Sequence, residues 1–448
     1  MSTPTEVANL LSGCHERRDA APVRVLIATA GSHGDVLPFV ALGQALAARG
    51  REVLLFANPH FQSMVEQAGL RFVAIGTQQD YQALFRATAA ADSKLAFELV
   101  AQELANLGPV YYQAMKAELR PGRTISIGNS LLFAARLLRE TDGVPCVTVH
   151  LAPSVFQSDV APARLAARWI KASSPALLKR LAWWSLDRFF YAPHFAAPLN
   201  RWRAELGLAP LREIFRAWIH QADLLLALFP DWFAEPQRDW PAGLALTGFP
   251  LYDHGEHVVV PPALQEFLTA GSAPVAFSPG TASVGNQAFF KASVDACRLA
   301  GVRGILLSHF PGQVGELPAD MIQVDYAPFG ALLPHLAAFV HHGGIGSTAQ
   351  ALRAGVPQLI CPLAYDQFDN AQRAVRAGVA IELAPKQYTA PAVAAALQRL
   401  MVDPSVRANC RQAAERLAAQ GPGIERACEQ IESRLIPLLK SPRPPPSN

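Results

Sequence analysis

Residues 23–57 read VRVLIATAGSHGDVLPFVALGQALAARGREVLLFA, and this stretch decides the class of fold. It opens with the apolar run 23–28 and closes with a second apolar run, 52–57. Between them lie a glycine-containing turn and residues 38–49, whose apolar side chains recur with helical spacing. Strand, turn, helix and strand in this order form a βαβ unit, whose parallel strands are buried on both faces. The sequence therefore predicts a parallel α/β sheet at its start.

The same alternation continues along the chain. Short apolar runs predict further strands at 72–75, 124–127, 144–149, 224–228, 274–277, 304–307, 322–324, 338–341 and 358–361. A break rich in glycine and proline separates two series of strands. We therefore expect an α/β protein in which two doubly wound Rossmann-like domains face each other across a cleft. Ligands of such folds bind outside the carboxyl ends of the strands.

Length and composition support this division. A chain of 448 residues is too long for one core, and 51% hydrophobic against 17% charged residues excludes a disordered or fibrous protein. We expect a disordered tail at 1–22, a first Rossmann-like domain at 23–250, a linker at 251–262, a second Rossmann-like domain at 263–440 and a second disordered tail at 441–448.

The charge and cysteine patterns exclude several partners. A formal net charge of +3 gives no basic field for nucleic acid. Six scattered cysteines suit a reducing cytoplasm, and we expect neither a disulfide framework nor a zinc site. No signal peptide or membrane-spanning run is visible, so a cytoplasmic protein is expected. No histidine and carboxylate cluster has metal-ligand spacing, so we expect no metal.

The strongest local motif is HHGGIGST at 341–348, directly after a predicted strand and at the start of a predicted helix. Glycines allow close approach of the backbone to an anion, and a helix start offers unpaired N–H groups. Asp366 and Gln367, at a later strand end, could bond to sugar hydroxyls. Tyr326, before the histidine strand, could stack on a nucleobase. Together these residues predict a nucleotide-sugar site.

One segment, 161–203, departs from the α/β rhythm. It carries eight lysines and arginines against a single acid, Asp187, together with many aromatic residues. One interpretation is an amphipathic cover packed on the first domain. The other is a wall or lid for an apolar acceptor that also touches an anionic membrane surface, such as the inner membrane. The aromatic residues assigned to the acceptor are Trp169, Trp183, Phe189 and Phe190.

The order of these motifs resembles the donor signature of inverting glycosyltransferases with the GT-B fold, the superfamily of UDP-glycosyltransferases and antibiotic glycosyltransferases. It comprises aromatic-x-Pro at 326–328, His-x-Gly-x-x-Ser starting at His342, Gly-Val-Pro at 355–357 and Pro-x-x-x-Asp-Gln at 362–367. The turn GSHGDVLP at 31–38 resembles that of bacterial members. Further stretches, such as 326–334 and 366–370, are similar to the rhamnosyltransferases of rhamnolipid synthesis.

The resemblance implies roles for individual residues. Asp35 is the catalytic base, with His33 as the weaker candidate. The residues implied at the donor diphosphate are His342, Gly344, Gly346, Ser347 and Thr281. Those implied at the nucleobase and ribose are Tyr326, Pro328 and Gln350. Gln350 stands where plant members carry a glutamate that holds the ribose, which fits a deoxyribose nucleotide.

The expected reaction is metal-independent transfer of a hexose, with inversion, from a nucleoside diphosphate sugar that is dTDP- or UDP-linked. The expected donor is dTDP-L-rhamnose, and the expected acceptor is an apolar hydroxylated molecule such as a hydroxyalkanoyloxy-alkanoic acid. Three alternatives stay open: a UDP-glucose enzyme acting on a sterol, polyketide or phenolic; a catalytically silent GT-B subunit that assists a partner; and a sugar-nucleotide 2-epimerase. The sequence does not determine the oligomeric state.

Overall fold

The computed structural model describes residues 22–90, 93–164, 173–252, 260–280, 285–308 and 312–440. Within them the chain forms a seven-stranded sheet of order 3-2-1-4-5-6-7 and a six-stranded sheet of order 10-9-8-11-12-13. Their strand pairings are parallel. The predicted α/β fold with two Rossmann-like halves is confirmed.

The first sheet lies entirely within residues 24–246. Its strands are β1 (Arg24–Ala28), β2 (Glu52–Ala57), β3 (Arg71–Ala74), β4 (Thr124–Asn129), β5 (Cys146–His150), β6 (Leu224–Ala227) and β7 (Ala245–Leu246). The strands of the second sheet are β8 (Val275–Ser278), β9 (Gly304–Leu307), β10 (Met321–Val324), β11 (Ala338–His341), β12 (Gln358–Ile360) and β13 (Ala380–Glu382). Each predicted strand is present, with ends that shift by one or two residues. The sequence patterns do not predict β7 and β13, which are short strands at sheet edges.

Helices connect the strands and cover the sheets. In the first half they are α1 (His33–Ala48), α2 (Gln62–Gln67), α3 (Gln78–Ala90), α4 (Ser93–Ala117), α5 (Ala134–Asp142), α6 (Ala176–Leu186) and α7 (Ala197–Glu205). A π-helical stretch, Asp187–Ala196, joins α6 to α7. In the second half they are α8 (Pro262–Thr269), α9 (Gln287–Ala300), α10 (Phe329–Leu332), α11 (Ile345–Ala354), α12 (Gln367–Arg376), α13 (Ala390–Val402), α14 (Pro404–Gln420) and α15 (Gly423–Leu435). Among the described residues, no helix is both long and apolar enough to cross a membrane.

The opening βαβ unit has the predicted layout with an earlier helix start. β1 is fully buried and pairs with β2 and β4, as expected of a central parallel strand. Helix α1 begins at His33, five residues before Pro38, because Ser32 and Asp35 form a capping box that fixes its first turn. The glycine-containing turn is therefore part of the helix start and stands at the carboxyl end of β1.

An apolar core joins the two halves. Phe156, Phe229 and Phe233 from the first half pack in one cluster with Leu352 and Ile360 from the second half. Beside this cluster, Arg164 donates two hydrogen bonds to Glu382, at 2.5 and 2.6 Å, and its backbone N–H donates to Asp369. The two halves thus share buried surface and a nearly buried ion pair.

The last helix crosses back to the first half. Helix α15 follows the second sheet in sequence, yet Cys428, Ile431 and Leu435 are buried in the core around β1. Glu432 on the same helix accepts hydrogen bonds from Arg49 and Arg51. The chain end therefore supports the first domain, although the sequence pattern places it in the second.

Candidate active site

The predicted site residues lie at the carboxyl ends of strands in both sheets. Asp35 follows β1, His342 follows β11, and Asp366 stands at the start of α12, after β12. Burial is the main cause that raises the pKa of Tyr365 and of Asp366, and the negative charge of Asp35 raises both further. Such an effect requires proximity, so Asp35 of the first half lies near the loop 362–366 of the second half.

The carboxyl of Asp35 is oriented by the turn before it. Its Oδ2 accepts hydrogen bonds from the backbone N–H and the hydroxyl of Ser32, at 2.8 and 3.0 Å. Desolvation raises the pKa of Asp35, while these two bonds lower it. Gly31, at φ 123°, is required here because a Cβ atom would lie 2.4 Å from Oδ2. A fixed carboxyl with a raised pKa is suited to accept a proton from a hydroxyl group.

Asn129 does not orient this carboxyl. Its Oδ1 accepts hydrogen bonds from the backbone N–H groups of Leu131 and Leu132, and its Nδ2 donates to the carbonyl of Ala30. Asn129 therefore supports the loop after β4. Asp35 is oriented by Ser32 in its own turn.

His33 belongs to a group of rings that the sequence analysis did not identify. Its ring meets His60 at 5.5 Å and Phe61 at 5.1 Å, both edge to face. His60 stacks on Tyr81 at 4.6 Å, and Tyr81 contacts Phe85 at 4.4 Å. Burial raises the pKa of Tyr81, and the charge of Asp35 raises it further, so this aromatic wall lies near the candidate base. The only signal in the sequence is that each ring follows a β-strand of the first half.

His342 lies against two glycines. A Cβ at Gly280 would come within 2.9 Å of its ring, and one at Gly344 within 2.6 Å of its Nε2. Burial lowers the pKa of His342 to about 4, so the imidazole is neutral near pH 7. Its Nδ1 has no hydrogen-bond partner among the described residues. A hydrogen bond with the backbone of Ser278 opposes the lowering of the pKa of His342. A neutral imidazole carries one N–H, so it can donate to a phosphate oxygen where that N–H is not given to Ser278.

The helix after His342 begins with open backbone. Gly344 caps α11, and Gly346 and Ser347 lie in its first turn, partly or fully exposed. Thr348, by contrast, is buried and its hydroxyl donates to the carbonyl of Gly344, so it is not available to a ligand. Thr281, the other residue assigned to the diphosphate, lies outside the described residues.

His341 has a structural role. It is fully buried, its Nε2 faces Oε1 of Gln358 at 3.0 Å, and its Nδ1 accepts the N–H of Gly343. Burial lowers its pKa to about 3. His341 thus fixes the backbone that presents His342.

Asp366 and Gln367 are held by the loop that they terminate. Asn370 donates to Oδ2 of Asp366 at 2.7 Å and to the carbonyl of Gly343 at 3.0 Å, which ties this loop to the histidine turn. The Oε1 of Gln367 accepts the N–H groups of Leu363 and Ala364, so its NH₂ group is the part suited to a sugar hydroxyl. Burial raises the pKa of Asp366 to about 6.

Tyr365 is a site residue that the sequence analysis did not select. It is the single non-glycine position among the described residues with a positive φ, 53°. Its side chain is 51% exposed, although it stands directly before Asp366. A strained backbone that presents a half-exposed ring at a cleft is typical of functional positions. The local sequence gives no sign of this conformation.

The three residues assigned to the nucleoside differ in accessibility. Tyr326 is 37% exposed after β10, whereas Pro328 is buried and begins α10. Gln350 is buried and donates from Nε2 to the carbonyl of Tyr252, near the segment between the domains. That bond leaves Oε1, which has no partner among the described residues, as the atom for a ribose contact.

The residues assigned to the acceptor do not converge on one cavity. Trp183 is buried, and its indole N–H donates to the carbonyl of Ser158. Phe190 stacks on Phe97 at 4.3 Å, whereas Phe189 is 67% exposed. Trp169 lies outside the described residues. The packing of Trp183 and Phe190 fits the amphipathic-cover interpretation. An acceptor role for these residues stays a prediction.

Comparisons with known proteins show which family the chain resembles along most of its length. Residues 25–158 match the glycosyltransferase family 28 N-terminal domain, and residues 306–432 match the erythromycin biosynthesis protein CIII-like, C-terminal domain. The chain is 32% identical over 419 residues to an O-mycaminosyltylonolide 6-deoxyallosyltransferase of Streptomyces fradiae, an alignment that covers 92% of this chain and 97% of the relative.

Solved structures have the same fold. The calicheamicin glycosyltransferase CalG4 superposes with a TM-score of 0.70 at 22% identity, over 93% of this chain and 99% of CalG4. The glycosyltransferase VinC, solved in complex with dTDP, gives a TM-score of 0.65 at 22% identity, over 94% and 100% of the two chains. Fold, motif order and sequence relationship agree: the chain belongs to the UDP-glycosyltransferase-like GT-B glycosyltransferases and takes its sugar from a nucleotide-sugar co-substrate.

Proposed function

We propose that this glycosyltransferase moves L-rhamnose from dTDP-L-rhamnose, with inversion, onto a hydroxyl of an apolar acceptor, a hydroxyalkanoyloxy-alkanoic acid. The observation that carries the proposal is the position of Asp35. Its carboxyl, oriented by Ser32, lies near the donor-side loop at Asp366. An acceptor hydroxyl between these two groups would meet both a base and the sugar.

The reaction is a single displacement. Asp35 accepts the proton of the acceptor hydroxyl, while the oxygen of that hydroxyl bonds to the anomeric carbon of the sugar. The bond from that carbon to the diphosphate oxygen breaks on the opposite face. His342 and the N-terminus of α11 stabilise the charge that develops on the leaving diphosphate. Asp366 and Gln367 orient the sugar through its hydroxyls.

Two observations support a deoxynucleotide donor that carries a 6-deoxy sugar. Gln350 offers only a neutral amide oxygen to the nucleoside, where a carboxylate would bind two ribose hydroxyls more strongly. The Streptomyces fradiae relative is named for transfer of a 6-deoxyallosyl group, and VinC is described with dTDP bound.

The aromatic wall supports an apolar acceptor. Tyr81 and Phe85 are partly exposed and form a ring surface with His33 and His60 near Asp35, while Phe61 packs behind these rings in the core. Burial also lowers the pKa of His60, so its ring is neutral at pH 7. Such a surface gains free energy from contact with hydrocarbon, about 0.8 kcal/mol for each buried methylene group.

A second candidate is a UDP-glucose-dependent enzyme that acts on a compact acceptor such as a sterol, polyketide or phenolic. One observation favours a compact acceptor: the Streptomyces fradiae relative is named for O-mycaminosyltylonolide. The two candidates differ in donor base, sugar and acceptor shape, and each difference can be measured.

The test pairs two donors with two acceptor classes. We expect product by mass spectrometry from dTDP-L-rhamnose and a hydroxyalkanoyloxy-alkanoic acid, with a KM that falls as the acyl chain lengthens. We also expect dTDP to raise the Tm more than UDP does. Transfer only from UDP-glucose onto a sterol or phenolic would overturn the proposal in favour of the second candidate. Absence of product from all pairings, with nucleotide binding intact, would indicate another donor sugar.

A further inference from the structure

Helix α6 exposes several of its apolar side chains and buries one of its lysines. The side that packs on the protein contains Lys179 and Trp183, which are buried and donate hydrogen bonds to the carbonyls of Val160 and Ser158. The side that faces outward carries Leu177, Leu181 and Trp184, which are 69%, 53% and 57% exposed. An ordinary surface helix buries its apolar stripe and exposes its lysines. Here the leucines are outside.

The exposed residues form one continuous surface. Positions 177, 181 and 184 share one helix face by their spacing. Leu178, 41% exposed, borders this face. Phe189, in the π-helical stretch, meets Trp184 edge to face at 5.8 Å. We call Leu177, Leu178, Leu181, Trp184 and Phe189 the apolar face. Contiguous exposed apolar surface on a folded domain usually marks a contact with another phase or molecule.

The charges near this face favour an anionic partner. Of the eight cationic residues in the sequence of 161–203, three pair with acids outside the segment: Arg164, Arg180 and Arg203. The single acid of the segment, Asp187, accepts a hydrogen bond from Gln157. Arg188, next to Phe189, and Arg201, on α7, are exposed, and within the described part of the chain neither forms an ion pair. A second copy on the same face would bring these arginines together, which disfavours self-association. An anionic surface would attract them.

We propose that the apolar face docks on the surface of an anionic lipid bilayer. Helix α6 lies in the interface, with its leucines against the acyl chains and its arginines at the lipid phosphates. Tryptophan prefers this boundary, because its ring is apolar and its indole N–H is polar. The proposal goes beyond the transfer reaction and does not depend on which sugar or acceptor is used.

The experiment is vesicle flotation with the full chain. Vesicles of phosphatidylcholine mixed with an equal amount of phosphatidylglycerol are compared with vesicles of phosphatidylcholine alone. We expect the protein to float with the anionic vesicles and much less with the neutral ones. The double variant Leu181→Ser/Trp184→Ser should bind anionic vesicles at least about ten-fold more weakly.

A matched control separates docking from general hydrophobicity. Leu299 and Val402 are exposed by 60% and 77% on helices of the second half, so Leu299→Ser/Val402→Ser removes comparable apolar surface elsewhere. We expect this control to bind like the unchanged protein. Both double variants should keep their Tm and dTDP affinity, because the replaced side chains are exposed.

Three outcomes would overturn the proposal. The first is absence of binding to anionic vesicles by the unchanged protein. The second is equal loss of binding in the control variant. The third is a dimer in light scattering that the Leu181→Ser/Trp184→Ser variant converts to a monomer, since the face would then be an interface between copies. Arg188→Gln gives a further check: it should weaken binding to anionic vesicles only, because the lost contact is electrostatic.

Discussion

The carboxyl of Asp35 is subject to two opposing effects. Desolvation in the cleft raises its pKa, while the hydrogen bonds from Ser32 lower it. As a general base the carboxyl must be ionised, so transfer should increase with pH as the pH passes through this raised pKa. A carboxyl whose folded pKa is raised also makes the folded state relatively less stable above that pKa. Catalysis and stability therefore make opposite demands on this residue.

Removal of the serine hydroxyl should shift the pH dependence. Ser32→Ala deletes one of the two bonds that favour the ionised form of Asp35, so the pKa of Asp35 rises further. The acid limb of the kcat/KM profile should move to higher pH, by about one unit or less. The measurement is the pH profile of both proteins. An acid limb that stays in place or moves to lower pH would show that another group titrates there.

Tyr365 allows a test that separates function from backbone strain. Glycine adopts a positive φ at no steric cost, so Tyr365→Gly should leave the Tm unchanged or higher. Because the ring is half-exposed in the loop that lies near Asp35, we expect its loss to lower transfer by roughly ten-fold through poorer substrate orientation. Tyr365→Phe, which keeps the ring, is the control. Full transfer activity in the glycine variant would assign Tyr365 to loop geometry alone.

Among the elements, the buried strands were the most predictable. The runs around β1, β4 and β11 are apolar and bounded by turn residues, and the structure has strands at each. The edge strands β7 and β13 have only two and three residues, too few to show a pattern.

The site was predictable where one turn supplies its chemistry, as at the start of α11. The site was not predictable where tertiary packing brings its residues together. The rings of His33, His60 and Tyr81 come from separate elements. Their contacts depend on how those elements pack, and single-sequence patterns carry no such information.

The ion pair between Arg164 and Glu382 links an element of each half. Both side chains are nearly buried, at 14% and 13% exposure. Glu382→Gln would leave the guanidinium without its counter-charge, and we expect a loss of about 2–4 kcal/mol in the free energy of unfolding. Replacing both Arg164 and Glu382 by leucine should recover part of the lost free energy of unfolding. Denaturant unfolding checks this, with Lys291→Gln in the exposed pair to Asp295 as the control. Equal, negligible effects of Glu382→Gln and Lys291→Gln would show that the link is unimportant.

At the scale of the whole molecule, the chain end completes the first domain. Ile431 on α15 is 1% exposed and packs in the core around β1. Ile431→Ala should therefore destabilise the first domain by about 2–4 kcal/mol, although residue 431 follows the second sheet in sequence. Calorimetry should show a lower Tm, whereas the exposed Val402→Ala should leave it unchanged. If Ile431→Ala has no larger effect than Val402→Ala, α15 does not support that core.

The reaction itself is divided between the halves. In the proposed reaction, the first half supplies the base, and the second half supplies the groups that hold the nucleotide diphosphate. Loss of a group from one half should therefore impair either the transfer step or nucleotide binding and spare the other. His342→Ala should weaken dTDP binding, because a hydrogen-bond donor to phosphate is removed. The corresponding change in the first half is Asp35→Asn, which should impair transfer and spare dTDP binding.

The most direct test is the transfer rate of Asp35→Asn at saturating donor, measured together with its affinity for dTDP. Asparagine keeps an oxygen that can accept the bonds from Ser32, so the turn should persist and the Tm should be unchanged or higher at neutral pH. We predict that dTDP binds as in the unchanged enzyme while transfer falls by roughly 100-fold or more, the scale of a positioned general base. Transfer within a few-fold of the unchanged enzyme would contradict the account and move the role of base to His33.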